Sequence, residues 1–599
     1  MDLYIHRLLL LWMLLTGPVL TAQIYDDYLG AGHYQDITIT TSHDQGMAQG
    51  SQTMSGAGMM PNTREASRFL AQATLGADAN LIQEVAGMGI SAWLDEQFGM
   101  EPTLLSDYYP VMMDQIRDDY LAQGGNPGDF YEFAVYFRYA WWQTAMEAED
   151  VLRQRVALAL SEIFVVSEES DLYDHGEALT SYYDMLLESA FENFRYLLYN
   201  VTMHPSMGFY LSHLRNPKAN PDENIYPDEN YAREVMQLFT IGLYELHLDG
   251  TPKTDNQGNY ISTYTNYEIR EFAKVFTGLG NGAADGQFWD GIYNENFDFW
   301  VPMKMYNNWH QAGSKALLNG FVIPGGQSAL QDVQDAVLNL HNHPNVGPFI
   351  GKQLIQRLVK SNPTPAYVER VARAFNDNGE GKRGDMKAVV RAILTDPEAR
   401  DCSWLDDPEH GKLREPIIRY TNLLRAFQAH NISDQYWNKA YFFKDLTRQH
   451  PLSAPSVFNF YLPNYSPNGV LKNAGLSGPE FQIHNAPSAV GFVNLADRWL
   501  FHQELMQNTG TDSWDWFGGD LNIPIEDRVI LDLSHELSIA TDVDALIDRL
   551  DIILTHGNLS DGTRDIIREA LLPFDNQLDR RVAMALYLFV ISPDYSVLR

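Results

Sequence analysis

The stretch Pro227-Asp-Glu-Asn-Tyr-Ala-Arg-Glu-Val-Met-Gln-Leu-Phe-Thr-Ile-Gly242 reads as an amphipathic helix with a marked start. A proline and two acids open it, which suits the first turn and the positive dipole end of a helix. Ala232, Val235, Met236, Phe239 and Leu243 fall on one side. Glu229, Arg233 and Gln237 form an i, i+4, i+8 row on the other, with Asn230 and Glu234 in the next row. The row has two readings: a solvated stripe with a surface ion pair worth a few tenths of a kcal/mol, or a polar cluster facing a cavity.

Outward from this helix the same pattern recurs. Apolar residues at helical spacing mark residues 63–70, 90–98, 150–166, 179–202, 331–340, 348–360, 365–376, 386–395, 416–427, 543–554, 563–572 and 580–591. The spacing predicts a mainly α fold: a large helical body over residues 63–599, with a helical C-terminal part at about 500–599. Residues 244–323 break the pattern. Asp249-Gly250 and the run Asp255 to Asn259 carry hairpin turn chemistry. A second turn is expected at residues 311–314, between residues 301–306 and 315–322. One or two small antiparallel β-hairpins are therefore expected on the helical body.

The chain has 599 residues and a formal net charge of −36, from 42 basic and 78 acidic side chains. Such a surface repels phosphate backbones, which argues against nucleic acid as a partner. A single cysteine, Cys402, excludes an intrachain disulfide framework and cysteine-rich metal sites. Residues 1–22 read as a signal peptide: His6 and Arg7, an apolar run from Leu8 to Leu15, then a Gly17-Pro18 break before Thr21-Ala22. The apolar run is too short to span a bilayer, so no stable membrane span is expected. Residues 23–62 read as a flexible linker rich in Gly, Ser, Thr, Gln and Met. The expected place is the periplasm or outside the cell.

No Gly-x-Ser-x-Gly elbow or His-Glu-x-x-His helix is present, and Gly347 to Gln353 imitates a phosphate loop with the wrong spacing. His310 and Lys315 flank the turn at 311–314 and are expected as cross-strand neighbours, the ammonium keeping His310 neutral as a ligand or base must be. His341 and His343 converge only if the chain leaves its helix between them, which Pro344 favours. Asp285, Asp290, Glu295 and Asp298 offer oxygens for a cation without the spacing of a helix–loop–helix site. Trp141, Trp142, Trp289 and Trp300 could stack on sugars.

Together these segments resemble the domain-of-unknown-function 1800 family of large exported bacterial proteins. The resemblance rests on Arg68 to Gly76, Trp93 to Gln97, Glu229 to Gly242, Glu271 to Gly278, His310-x-x-Gly313-x-Lys315, Arg414-Glu-Pro416, Pro455 to Tyr461, Pro479-Glu-Phe481 and Ser592-Pro593. It implies a mostly helical exported protein, names no activity, and implies a partner of the exported sulfatase-like type. It also makes the 229–242 helix and the His310/Lys315 turn family features.

The functional expectation is a metal-assisted or acid/base hydrolase of the envelope or extracellular space. Its catalytic set is Glu229, Arg233, Glu234, His310 and Lys315. Glu234, His310, His341 and His343 are the ligands of a divalent metal, if one is bound. The alternative is a non-catalytic envelope scaffold or polysaccharide-binding protein, with exposed tryptophans and no buried charged cluster. A further alternative, a helical polysaccharide-degrading enzyme, needs two carboxylates about 5–10 Å apart across a cleft.

Overall fold

Asn62 caps the first described helix, Thr63–Ala73, its side chain accepting from the Glu65 amide at 2.9 Å. The computed structural model describes residues 62–401, 407, 409–506 and 528–599. The signal peptide, nearly all of the linker and Cys402 lie outside the described residues.

Helices dominate, and their ends follow local chemistry. Thr265 and Glu268 form a reciprocal capping box at the start of Asn266–Val275. Thr364 and Asp385 cap Pro365–Asn376 and Met386–Thr395, whose bounds match the apolar periodicity. The run expected at 179–202 is two helices, Gly176–Ser189 and Phe194–Met203. The break comes at Asn193, whose side chain caps the second helix at the Arg195 amide and donates to the Arg383 carbonyl at 2.6 Å. Periodicity alone does not reveal such a stop, because apolar residues continue at helical spacing on both sides of it.

One apolar core runs from Ala66 to Tyr595. It includes Phe69, Trp93, Trp142, Leu186, Phe239, Leu354 and Phe589, so sequence-distant helices share it. The two ends of the described chain meet: Arg68 Nη1 donates to the Ala399 carbonyl at 2.6 Å and Arg68 Nε to that of Arg599. Lys412–Leu413 pairs antiparallel with Val597–Leu598, which stitches the C-terminus to the middle of the chain. Among the described residues no helix is long and apolar enough to cross a membrane.

The described residues contain three two-stranded antiparallel sheets. Residues 244–262 form a bridged element of two tight turns, Leu246 opposite Pro252 and Thr254 opposite Tyr260, closed by Tyr244 opposite Ser262, with Asp255 accepting from the Gln257 and Asn259 amides in the second turn. The second hairpin differs from expectation. Lys304–Met305 pairs with Leu279–Gly280, not with the segment after residue 314. Lys315–Ala316 pairs with Val322–Ile323. Asn319 and Gly320 close that turn with φ of 57° and 73°, the left-handed geometry that Asn-Gly supplies at little cost. Lys315 thus lies opposite Ile323 rather than His310.

Candidate active site

The helix Asn230–Gln237 divides its polar residues between two environments. Glu229 Oε2 lies 3.4 Å from Arg233 Nη2, and both side chains are over a third exposed, at 39% and 37%. This pair is the solvated stripe. Glu234, one position on, is fully buried, and neither carboxylate oxygen has a hydrogen-bond partner among the described residues. Burial pushes its carboxyl up to about 7 against the pull of Arg233. No hydrogen bond or ion pair among the described residues links these three side chains to His310 or Lys315.

His310 and Lys315 meet through a residue that sequence reasoning passed over. His310 Nε2 lies 2.9 Å from Asp332 Oδ2, and Lys315 Nζ donates to the same oxygen. His310 Nδ1 faces the Thr277 carbonyl oxygen at 2.8 Å. Both ring nitrogens are therefore engaged by protein oxygens, and neither is free as a metal ligand or general base. Burial raises the Asp332 carboxyl, but hydrogen bonds from His310 and Lys315 outweigh it and hold the group below its usual value. The three form a buried clasp between the hairpin and the helix Ala329–His341.

The expected metal set is not assembled. His341 packs between Phe194 and Phe375, with its imidazole pushed down to about 4 by burial and then by Arg383 and Arg195. His343 Nδ1 accepts from the Asn345 amide at 3.2 Å, and its Nε2 is 3.8 Å from Glu245. Among the described residues no group of three or more His, Cys, Asp or Glu side chains is placed to hold a metal ion. Asp290 and Asp298 spend oxygens on their own loop, at the Gln287 and Trp300 amides. Trp141 and Trp142 are core residues, whereas Trp289 and Trp300 are 53% and 44% exposed.

A different constellation stands out. A cavity of about 440 Å³ opens beside the helix Val346–Leu358, the end of Asn230–Gln237, residues 246–252 and residues 457–464. Gln237, last of the 229/233/237 row, reaches its wall. Gly242 closes that helix segment with φ 69°, and a Cβ there would fall 2.8 Å from the Phe349 ring on the opposite wall. The glycine that ends the family-like stretch thus leaves room for the cavity wall.

Glu162 also lines this cavity. It is buried, and it shares a hydrogen bond with buried Glu415. Two carboxyl groups can share a hydrogen bond only when one carries a proton. Burial first, then the Glu415 charge, pushes Glu162 well above the usual carboxylic range. Glu415 is held down at about 2 despite its burial, by Lys412, by the hydrogen bond from Glu162 and by Arg155. Position along the helices agrees with this division. Glu162 follows the C-terminus of Val151–Ser161, where the dipole disfavours negative charge, and Glu415 precedes the N-terminus of Pro416–Ala426, where it favours it.

The pair is enclosed by further polar groups. Tyr461 donates its hydroxyl to Glu162 Oε2 at 3.0 Å, and Arg357 Nε lies 3.4 Å from the same oxygen. Gln449 Nε2 reaches both acids, at 3.4 Å from Glu162 Oε1 and 2.7 Å from Glu415 Oε2. Lys412 joins Glu415 at 3.7 Å to Glu480 at 3.1 Å. Three acids therefore face three bases, Arg155, Arg357 and Lys412. Because Glu162 and Glu415 touch, this pair lacks the separation that two-carboxylate sugar hydrolysis requires.

The sequence held a signal for this cluster. Glu415, Tyr461 and Glu480 each lie in a stretch that carries the family resemblance, at positions the helical pattern does not require. A mainly helical protein with a buried acid–base cluster under a cavity is the class that fold and site define. The chain belongs to the family described as "Protein of unknown function (DUF1800)", whose family model matches residues 68–597. No curated protein and no solved structure matches it.

Proposed function

We propose that the protein is an acid/base hydrolase whose active site is the cavity over Glu162, working in the cell envelope or outside the cell as the N-terminal signal reading suggests. The observation that carries this is the Glu162–Glu415 pair, a protonated acid poised on a cavity wall with an ionised partner behind it. Perturbed titratable groups in a pocket are the usual mark of acid/base chemistry. Glu162 donates its proton to the leaving group as the scissile bond breaks. Water supplies the hydroxyl to the other fragment, and its remaining proton returns to Glu162. Arg357 and Tyr461, both on Glu162 Oε2, stabilise the carboxylate formed in between. Glu415 stays ionised, and its charge drives reprotonation of its neighbour.

The acid/base branch is favoured over the metal-assisted one because His310 spends both ring nitrogens on protein oxygens. A pure scaffold has no need of three acids and three bases buried beneath a cavity. Hydrolysis of a panel of nitrophenyl esters by wild type and E162Q tests the reading. Turnover of at least one member, reduced about 100-fold or more by E162Q in line with loss of a general acid, supports it. Turnover that E162Q leaves unchanged, or none across the panel, contradicts it.

A further inference from the structure

Lys352 is a cation without an acid. It lies on the cavity wall, half-buried, and makes no ion pair or hydrogen bond among the described residues. Burial is the one influence on its ammonium, and it pushes the group down to about 8. In a chain with 78 acidic and 42 basic side chains this is unusual company for a lysine. The neighbouring cations Arg357, Lys360 and Lys412 all have carboxylate partners.

The same wall carries carboxamides that the protein does not satisfy. Asn459 is buried, and neither its Nδ2 nor its Oδ1 has a hydrogen-bond partner among the described residues. Gln353 Nε2, Gln356 Oε1 and Asn464 Oδ1 are likewise without one. Lys352, Gln353 and Gln356 stand at i, i+1 and i+4 of the helix Val346–Leu358, so one helix face presents all three. An unmet buried polar atom costs about 1–3 kcal/mol, so several in one cavity point to a ligand that meets them. Donors and acceptors are mixed, which suits hydroxyl groups, since each hydroxyl both gives and accepts. Phe349 and Phe458 add ring surface to the same cavity.

We infer that the ligand of this cavity is an anionic sugar unit, its acidic group held by Lys352 and its hydroxyls by Asn459, Gln353 and Gln356. The inference deepens the hydrolase reading and rests on its choice of cavity. A volume of about 440 Å³ lies low in the range of small-molecule pockets, about 300–1,000 Å³, which suits a short saccharide. The acidic surface opposes an anion only weakly beyond about 8 Å at physiological salt, so the local cation decides.

Equilibrium binding to the full chain tests this, with glucuronate and glucose 6-sulfate as the carboxylate and sulfate arms. Glucose serves as the neutral control and N-acetylglutamate as the anion without hydroxyls. The expectation is that at least one acidic sugar binds about tenfold or more tighter than glucose and than N-acetylglutamate. K352M should remove that advantage, N459A should weaken the acidic sugar, and E162Q should retain its binding. Retained binding by an E162Q variant that hydrolyses nothing would leave this inference standing while the reaction assigned to Glu162 is judged separately. Equal binding of glucose, tighter binding of N-acetylglutamate, an unchanged affinity in a folded K352M, or no binding by either acidic sugar would overturn it.

Discussion

The carboxyl groups of Glu162 and Glu415 touch across the ends of two helices, and the helices' opposite polarity matches which of the two keeps a proton. Glu162 stands on the cavity wall with Glu415 behind it, and the pair ties three distant stretches of chain, near residues 162, 415 and 461, into one unit. Its consequences can be measured without knowing the natural substrate.

Tyr461→Phe removes one hydroxyl from Glu162 Oε2 and leaves the ring in place. Turnover of any substrate found should fall about 10- to 100-fold, less than the roughly 100- to 10,000-fold that the proton-transferring group itself contributes. The structural cost should be only about 1 kcal/mol, the net worth of a typical hydrogen bond. Paired kinetics and thermal melts check this; equal turnover would show that Tyr461 takes no part.

Glu234→Gln should change how stability varies with pH. The buried carboxyl titrates near 7 in the folded chain, above its ordinary value, so the folded state holds its proton more tightly than the unfolded one. Its contribution is complete below about pH 4.5 and is lost as pH rises towards 7, a span of about 3 kcal/mol at most. The neutral amide has no such loss. E234Q should therefore match wild type near pH 4.5 and melt higher near pH 8. A deficit that is the same at every pH would show that burial does not raise the Glu234 carboxyl.

Asp332→Asn strips the ionic partner from a buried lysine and histidine. Breaking a buried pair on one side costs about 3–5 kcal/mol, so D332N should lower the melting temperature clearly. H310A should destabilise through the same clasp. Neither variant should change the metal content of the purified protein, measured by elemental analysis. Stoichiometric metal that H310A removes would restore the metal-centre reading.

Much of the fold was legible because apolar spacing is a local signal. Pro365–Asn376 and Met386–Thr395 begin and end where caps and periodicity say they should. The strand partners were not legible: the turn at residues 311–314 drew attention, while Asn319-Gly320, a stronger turn signal, fixed the register. For the site, residue type misled. His310 and Lys315 carry attractive chemistry, but their partner Asp332 is an acid set in one row with Ala336 and Leu340, a row that periodicity reads as plain apolar core. Glu162 and Glu415 stand at helix ends, more than two hundred positions apart, and their pairing arises only when the core closes. Lys352 and Gln353 lie inside the stretch that imitates a phosphate loop, and a cation without an acid partner is visible only in three dimensions.

The most direct measurement is infrared difference spectroscopy at neutral pH, wild type minus E162Q. Other acids, among them half-buried Glu177 and buried Asp184 and Glu234, are also raised, so the difference isolates the pair. The account predicts the carbonyl stretch of a protonated carboxylic acid in wild type that is missing from E162Q. A difference showing only carboxylate bands would mean that Glu162 is ionised, and the proton-sharing pair on which the proposed chemistry depends would not exist.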